Sequence, residues 1–279
     1  MVSPLVCADW LGDHLSDPDL RIIEVCSLPD NKTYQEGHIP GAMWVNWKAA
    51  CWHETDREFV TPAAMARLFG GMGISAQSTV VLYGDPVQYG GYAFWAFTMA
   101  GHSNLRLLDG GRRKWVTQGR PLARAVPSFP AVAYPEPAGR SWMRVGRRNV
   151  RENLGSPRRL LLDVRSPEEY TGKRVSDYSF PFDHGAERTG RIPGAVHLYF
   201  KELLNDDDTF KAPEQLRRVL AAAGVVPEKF DDVVCYCRLS HRATMAWIAM
   251  TEILGYTNIK IYDGSWTEWG SIVGYPIEK

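Results

Sequence analysis

An internal repeat constrains the fold of this 279-residue chain more than any other feature of its sequence. Residues 37–42 read GHIPGA, and residues 190–195 read GRIPGA. Further along, residues 101–110 read GHSNLRLLDG, and residues 255–264 read GYTNIKIYDG. The first pair of segments is separated by 153 positions and the second pair by 154. Because the matches keep their order and almost their spacing, the chain contains two copies of one structural unit.

Each copy alternates short β-branched runs with helix-like stretches, a pattern typical of βαβ units around a parallel sheet. The apolar runs 233–236 and 259–262 are predicted strands buried on both faces. Thr244–Leu254 is a predicted helix that ends before Gly255. The predicted fold class is therefore α/β, with two tandem domains that each contain a mainly parallel sheet flanked by helices.

The segment between the two copies is predicted to be an extended linker. Proline restricts its own backbone and that of the residue before it, and this segment, which lacks periodicity, contains Pro127, Pro130, Pro135 and Pro137. We therefore expect a first domain over residues 1–125, a linker over residues 126–142 and a second domain over residues 143–279.

The composition and net charge of the chain disfavour some classes of binding partner and some cellular locations. Lys plus Arg and Asp plus Glu both number 32, and this zero net charge weighs against a general nucleic-acid or membrane-surface binder. No stretch approaches the roughly 20 apolar residues of a membrane span, and the N-terminus lacks the features of a signal peptide. Five irregularly spaced cysteines favour a reducing compartment, and hence a cytoplasmic protein, over a disulfide framework. The oligomeric state is left open.

No metal or organic cofactor is predicted. A single Cys-x-Cys and seven scattered histidines do not form a recognisable metal-ligand set. The sequence also contains no glycine-rich loop with the spacing of a dinucleotide or nucleotide-phosphate site.

The candidate nucleophile is Cys237, which directly follows the predicted strand 233–236. Ligands of parallel sheets bind where strands end and helices begin, and the counterpart of Cys237 in the first copy is Gly84, which offers no thiol. A free cysteine has a pKa of about 8.5. Amides at a helix N-terminus and nearby cations stabilise a thiolate. The predicted substrate-binding loop consists of Arg238, Leu239, Ser240, His241, Arg242 and Ala243.

A packed core cysteine is the alternative for this position, since buried cysteine behaves as a small apolar residue. The charged neighbours Arg238 and Arg242 disfavour it, because burying them unpaired is costly. Cys235 lies within the buried run and is expected to pack in the core; its alternative role is a disulfide with Cys237 under oxidation.

The second copy is longer than the first between its first strand and its Pro-Gly turn. The additional segment spans about residues 173–188, and loops of that length in compact domains are usually functional or disordered. We predict an ordered flap over one wall of a cleft, with a surface insertion that packs on itself as the alternative. The residues that favour the flap are Tyr178, Phe180, Phe182, Asp183 and His184.

These motifs resemble the tandem-domain rhodaneses, specifically the bacterial thiosulfate sulfurtransferases, over nearly the whole chain. The resemblance rests on LDVRSPEEY at residues 162–170, the paired Pro-Gly-Ala turns, the Cys-Arg-x-x-x-Arg loop at Cys237, and DGSWTEW at residues 263–269. It implies two tandem rhodanese-like domains, of which the second is catalytic and the first lacks the nucleophile.

The resemblance also implies the chemistry. The Cys237 thiolate would take the outer sulfur of thiosulfate as a persulfide and pass it to cyanide or to a thiol, with no cofactor. The loop amides would hold the persulfide, while Arg238 and Arg242 would orient the sulfonate of the small anionic donor. Asp163 and Arg165 match positions that support the loop in this family.

Two residues depart from the family pattern. Glycine often occupies the position of Ser240, and a serine there would be strained if the backbone needs a positive φ. Many animal relatives carry a substrate-binding arginine at the position of Glu169, where a carboxylate would repel thiosulfate unless it faces away or pairs with an arginine.

Three other functions compete with thiosulfate sulfurtransferase. A 3-mercaptopyruvate sulfurtransferase would use the same cysteine, but its loop is usually richer in Gly and Ser and lacks the two arginines. A related phosphatase needs five residues between Cys and Arg, whereas Cys237 and Arg242 are separated by four. A non-catalytic binding or regulatory module is the third alternative, which the intact Cys237 disfavours.

Overall fold

The computed structural model describes residues 4–175 and 186–279. The residues on which the predicted flap depends, at positions 178–184, lie outside the described residues. The chain forms two compact units. The first contains Met1–Ser141 together with Asp206–Thr209, and the second contains Trp142–Asn205 together with Phe210–Lys279.

The first unit is a five-stranded parallel sheet with helices between the strands. Its elements are β1 (Leu5–Val6), α1 (Ala8–His14), β2 (Leu20–Cys26), α2 (Lys32–Glu36), β3 (Ala42–Asn46), α3 (Trp47–Cys51), α4 (Pro62–Gly71), β4 (Thr79–Asp85), α5 (Val87–Ala100), β5 (Leu105–Leu108) and α6 (Gly111–Thr117). The strand order is β1-β5-β4-β2-β3, and every pairing is parallel.

The second unit repeats this topology. Its elements are β6 (Arg144–Val145), α7 (Arg147–Glu152), β7 (Arg159–Asp163), α8 (Pro167–Tyr170), β8 (Val196–His197), α9 (Pro213–Ala222), β9 (Asp232–Tyr236), α10 (His241–Trp247), a π-helix (Ile248–Ile253), β10 (Ile259–Tyr262) and α11 (Ser265–Trp269), with short 3₁₀ turns at Ser141–Met143, Phe200–Leu203 and Pro227–Lys229. The strand order β6-β10-β9-β7-β8 is that of the first unit, again with parallel pairings. The predicted α/β fold of two tandem, mainly parallel sheets is confirmed. Among the described residues, no helix combines the length and apolar character needed to cross a membrane.

Burial on both faces explains why the central strands read as continuous apolar runs. All five residues of β9 are buried, as are Val80–Gly84 of β4. The tyrosine near the end of each of these strands also contacts the repeated turn. The Tyr83 hydroxyl accepts a hydrogen bond from the Ile39 N–H at 3.3 Å, and the Tyr236 hydroxyl accepts one from the Ile192 N–H at 3.2 Å. The repeat seen in sequence is therefore also a repeat of buried polar contacts.

The loop before the long helix of the second unit accounts for the change of offset between the two copies. The offset is 153 positions at the Pro-Gly turns and 154 after the long helices. Gly84 lies three positions before Val87, the first residue of α5, whereas Cys237 lies four positions before His241, the first residue of α10. From its first residue to the glycine that follows it, the long helix spans 14 positions in both copies. The extra residue of the second copy is therefore located in the loop after Cys237.

The proline-rich segment before the second unit contains no helix or strand over residues 126–140, and it packs on the first unit. The Val132 N–H donates to the Gly70 carbonyl at 3.0 Å, and the Arg21 guanidinium lies 4.0 Å from the centre of the Phe129 ring. This segment therefore belongs to the first compact unit, while the domain limits at residues 125 and 143 remain a prediction.

Candidate active site

Cys237 lies at the carboxyl end of the central strand of the second sheet. It directly follows β9, which is flanked by β10 and β7, and it precedes the loop that leads into α10. This edge is where parallel sheets place ligands. The Cys237 residue is buried, with 1% of its surface exposed. The Cys237 thiol is therefore shielded from bulk water at the end of a central strand.

The first unit has no room for a cysteine at the equivalent position. A Cβ atom built on Gly84 would approach the Gly90 backbone nitrogen to 2.5 Å and the Pro86 carbonyl oxygen to 3.1 Å. Cβ atoms essentially never approach backbone atoms so closely. The first copy would have to move its backbone to carry a thiol at this site.

The start of α11 holds the backbone of Cys237 itself. The Cys237 N–H donates to the Ser265 hydroxyl at 3.2 Å, and the Cys237 carbonyl accepts a hydrogen bond from the Trp266 N–H at 2.9 Å. The next carbonyl, that of Arg238, accepts one from the Thr267 N–H at 3.2 Å. The loop is thereby fixed at its entrance by three consecutive residues of one helix.

Ser265 is a site residue to which the sequence analysis assigned no role. Its φ is +54°, the same value as at Gly111, its counterpart in the first unit. A residue with a side chain costs about 1–2 kcal/mol in this left-handed region. The serine is nonetheless present, and its hydroxyl donates to the Tyr262 carbonyl at 2.9 Å while accepting from the Cys237 N–H. The change from DGG at residues 109–111 to DGS at residues 263–265 was the signal that could have identified it.

The backbone of Ser240 also adopts the left-handed conformation, which is strained for a residue with a side chain. Its φ is +72°, so this turn of the loop does require a positive φ. The buried hydroxyl donates to the Asp263 carbonyl at 2.7 Å and lies 3.4 Å from the Ser265 hydroxyl. These contacts offset the strain and tie the middle of the loop to the turn before α11.

The remaining loop residues differ in how far they are buried. Arg238 and Leu239 are partly exposed, whereas His241, Arg242 and Ala243 are buried in the first turn of α10. Among the described residues, neither the Leu239 N–H nor the Ser240 N–H donates a hydrogen bond. These two backbone donors, two and three residues after Cys237, are of the kind that binds anions in loops before helices.

Arg242 forms a buried bidentate ion pair with Glu169. Its Nη1 and Nη2 atoms lie 2.6 and 2.9 Å from Oε2 and Oε1 of the carboxylate, and the side chains are 7% and 0% exposed. Glu169 is the third residue of α8 and also accepts from the Ser166 N–H, completing a capping box. Glu169 therefore pairs with an arginine. This is one of the two arrangements in which its carboxylate would not repel thiosulfate.

Burial opposes the ionisation of Glu169, but its hydrogen bonds to Arg242 and the charge of that guanidinium outweigh burial. The pKa of the Glu169 carboxyl is therefore lowered from its ordinary value of 4.5. The side chain is ionised at neutral pH, and it cancels the charge of Arg242 locally.

Asp163 and Arg165 form a second, fully buried ion pair beside the loop. Arg165 donates through Nη2 to Asp163 Oδ2 at 2.6 Å and to the Gly190 carbonyl at 2.7 Å. Burial opposes its charge, but the adjacent Asp163 carboxylate raises the pKa of Arg165 above the ordinary value. The guanidinium lies 4.5 Å from the centre of the Trp266 ring, and Trp266 in turn donates to Cys237. Trp266 therefore links the Asp163–Arg165 ion pair to the loop.

Cys235 lies within β9 and has none of its surface exposed. Burial and the neighbouring Cys237 both raise the pKa of its thiol. The five cysteines of the chain are all free thiols. Within the described ranges, no three His, Cys, Asp or Glu side chains are grouped so that they could hold a metal ion.

Comparison with known proteins places this arrangement in a family. The chain matches the family model described as Rhodanese-like domain over residues 8–118 and again over residues 147–272. It is 42% identical over 279 residues to the sulfur carrier protein TtuD of Thermus thermophilus, covering 99% of this chain and 96% of that protein. It is 40% identical over 283 residues to a Haloferax volcanii protein named "Putative thiosulfate sulfurtransferase", again covering 99% and 96%.

Solved structures give a concordant result. The anaerobic ergothioneine biosynthesis enzyme from Chlorobium limicola, in complex with trimethyl histidine, superimposes with a TM-score of 0.83 at 26% sequence identity. The match covers 99% of this chain and 70% of that one.

Replacing Ser240 tests the strained loop position. Ser240→Ala loses the hydrogen bond to Asp263 but keeps a Cβ atom at positive φ, and we expect it to lower the free energy of unfolding by about 1–2 kcal/mol. Ser240→Gly loses the same bond but releases strain of roughly 1–2 kcal/mol, so we expect it to be more stable than the Ala variant. Urea denaturation followed by tryptophan fluorescence measures both.

Ser271 provides the matched control for this comparison. Its hydroxyl donates to the Thr267 carbonyl at 2.8 Å, and it is not among the residues with positive φ. There the order should reverse, with Gly less stable than Ala. A Ser240→Gly variant that is less stable than Ser240→Ala would contradict the account of the loop.

The Glu169 ion pair predicts a pH dependence of stability. A carboxyl with a lowered pKa in the folded state stabilises the protein fully above its ordinary pKa, and this contribution is lost as the pH falls through the lowered value. The stability difference between wild type and Glu169→Gln should therefore be constant from pH 7 to about pH 5.5 and shrink below about 4.5. Urea titrations between pH 7 and pH 3 measure the difference, and a difference that grows on acidification contradicts the assignment.

Proposed function

The chain belongs to the rhodanese family, and from this premise we propose that it is a thiosulfate sulfurtransferase that works through a persulfide on Cys237. The coarser statement, a sulfurtransferase with a sulfur donor and a sulfur acceptor, follows from the family and from the names of its relatives. The donor, the acceptor and the persulfide are the parts that we propose. Its cytoplasmic location is likewise a proposal, supported by the five free thiols.

The proposed reaction has two steps. In the first, the Cys237 thiolate attacks the outer sulfur of thiosulfate; the sulfur–sulfur bond of the donor breaks, and sulfite leaves with the electron pair. In the second, cyanide or an acceptor thiolate attacks the terminal sulfur of the persulfide. The product is thiocyanate or the acceptor's persulfide, and the Cys237 thiolate is regenerated. The cycle needs no external oxidant or reductant and gives ping-pong kinetics.

The position of Cys237 between the end of β9 and the start of α10 is the observation that carries this proposal. The nearby N–H groups of Leu239 and Ser240 would stabilise the anionic sulfur, because amides at a helix N-terminus carry partial positive charge. Arg238, which is partly exposed at the same turn, would orient the sulfonate by charge-assisted hydrogen bonds. Asp163 and Arg165 would support the loop through Trp266.

A sulfur carrier is the second candidate. The 42% identical relative bears that name, which favours a protein thiol over a small molecule as the acceptor. Both candidates share the first step and differ in the second. A 3-mercaptopyruvate sulfurtransferase would share Cys237 but use another donor, and a binding module would use neither step.

Steady-state kinetics with two donors test the proposal. We expect a higher kcat/KM for thiosulfate than for 3-mercaptopyruvate with cyanide as acceptor, and double-reciprocal plots with parallel lines, as ping-pong turnover requires. Cys237→Ser should abolish turnover, while Cys235→Ser, which changes a residue assigned to the core, should retain it. A preference for 3-mercaptopyruvate would overturn the donor, and turnover that survives in Cys237→Ser would overturn the nucleophile.

A further inference from the structure

We propose that Arg242 is a positioning residue that fixes the exit of the nucleophile loop through Glu169, and that it does not bind the sulfur donor. This inference rests on the proposed function of Cys237. It replaces the donor-binding role that the family resemblance implied for Arg242.

The contact geometry supports this role. Two guanidinium nitrogens of Arg242 meet the two carboxylate oxygens of Glu169 at 2.6 and 2.9 Å, the bidentate arrangement that gives such pairs their directional specificity. Both side chains are buried, at 7% and 0% exposure. A donor anion would have to compete with a carboxylate that already holds this charge. Removal of either partner leaves a buried charge uncompensated, which strongly destabilises the folded chain.

The location of the pair explains what it fixes. Arg242 is the second residue of α10, directly after the loop, and Glu169 belongs to α8, which follows the neighbouring strand β7. The loop entrance at Cys237 is held separately by Ser265 and Trp266. Without the ion pair, the loop would be anchored at its entrance and middle but not where it enters the helix.

The two copies of the fold show that the pair is not needed for folding of the common scaffold. Arg242 is the second residue of α10, and the second residue of α5 in the first unit is Gln88. Gln88 is also buried, but it carries no charge. The same topology therefore forms without an arginine at this position. The ion pair occurs in the copy that carries the thiol, as expected of a residue that serves the loop.

A kinetic double-mutant cycle tests the assignment with Glu169→Gln, Arg242→Gln and the double variant, all with thiosulfate as donor. A positioning role predicts that each single variant lowers kcat about tenfold or more with little change in KM, and that the double variant is no worse than the poorer single one. A donor-binding role predicts the opposite pattern: Arg242→Gln raises KM, and Glu169→Gln, which releases the charge of Arg242, lowers it. That pattern overturns the proposal.

Alkylation of Cys237 by iodoacetamide gives a readout that does not depend on the donor. A loosened loop exposes a thiol that is 1% exposed in the folded protein, so both single variants should be alkylated faster than wild type. A purely electrostatic role of Arg242 predicts opposite changes, because one variant leaves a positive charge and the other a negative charge beside the thiol. If wild type does not turn over thiosulfate, the proposed function fails, whereas the alkylation rates still decide between these two roles.

Two further variants test whether the geometry of the Arg242–Glu169 pair matters and whether any other ion pair has the same effect. Arg242→Lys retains the charge but not the bidentate geometry, and it should lower kcat as Arg242→Gln does; full activity in this variant contradicts the positioning role. Arg159→Gln is the matched control, since Arg159 forms a buried bidentate pair with Asp232, both contacts being 2.7 Å, at the opposite end of β9. It should lower stability without changing kcat, KM or the alkylation rate of the folded protein. Similar kinetic losses in this control would show that any buried ion pair has this effect, which would overturn the proposal.

Discussion

The hydrogen bonds between the start of α11 and the backbone of Cys237 are the contacts on which the candidate site depends. The end of β9 fixes the position of Cys237, but the direction of the following loop needs partners outside the strand. Ser265, Trp266 and Thr267 supply them, and Ser240 fixes the middle of the loop through the Asp263 carbonyl. With these backbone groups engaged, the loop is held at its entrance and at its middle. Donors that are fixed in advance stabilise a developing charge without reorganisation.

Comparison of the two units separates what the scaffold requires from what the site requires. Both units hold the repeated turn through a tyrosine hydroxyl and through an arginine that donates to its first glycine carbonyl at 2.7 Å. That arginine is Arg112 of α6 in the first unit, and in the second unit it is Arg165, two residues after β7. The position of Arg112 is occupied in the second unit by Trp266, which packs on Arg165 and donates to the Cys237 carbonyl. In the second unit, the arginine that holds the repeated turn is therefore also in contact with a residue that holds the Cys237 loop.

The sequence predicted those features that depend on local pattern. The repeat, the parallel sheets and the location of Cys237 after a central strand all follow from runs of apolar residues and their order along the chain. Features that depend on distant partners were out of reach: Ser265 is 28 residues from Cys237, and Glu169 is 73 residues from Arg242. The start of the helix was also misplaced, at Thr244 instead of His241, because the left-handed turn at Ser240 lets the helix begin at the next residue. The change of offset from 153 to 154 indicated one extra residue in the second copy, but only the helix starts at Val87 and His241 show that it lies in the loop after Cys237.

Mass spectrometry of the protein after reaction with thiosulfate labelled in its outer sulfur, without an acceptor, tests the central claim most directly. The account predicts one labelled sulfur atom per chain, located on the peptide that contains Cys237, and release of an equal amount of sulfite. Addition of cyanide should then remove the label as thiocyanate. Label on a peptide from the first unit, or an unmodified Cys237 with the label elsewhere, would contradict the claim that the anchored loop of the second unit creates the sulfur-accepting thiol.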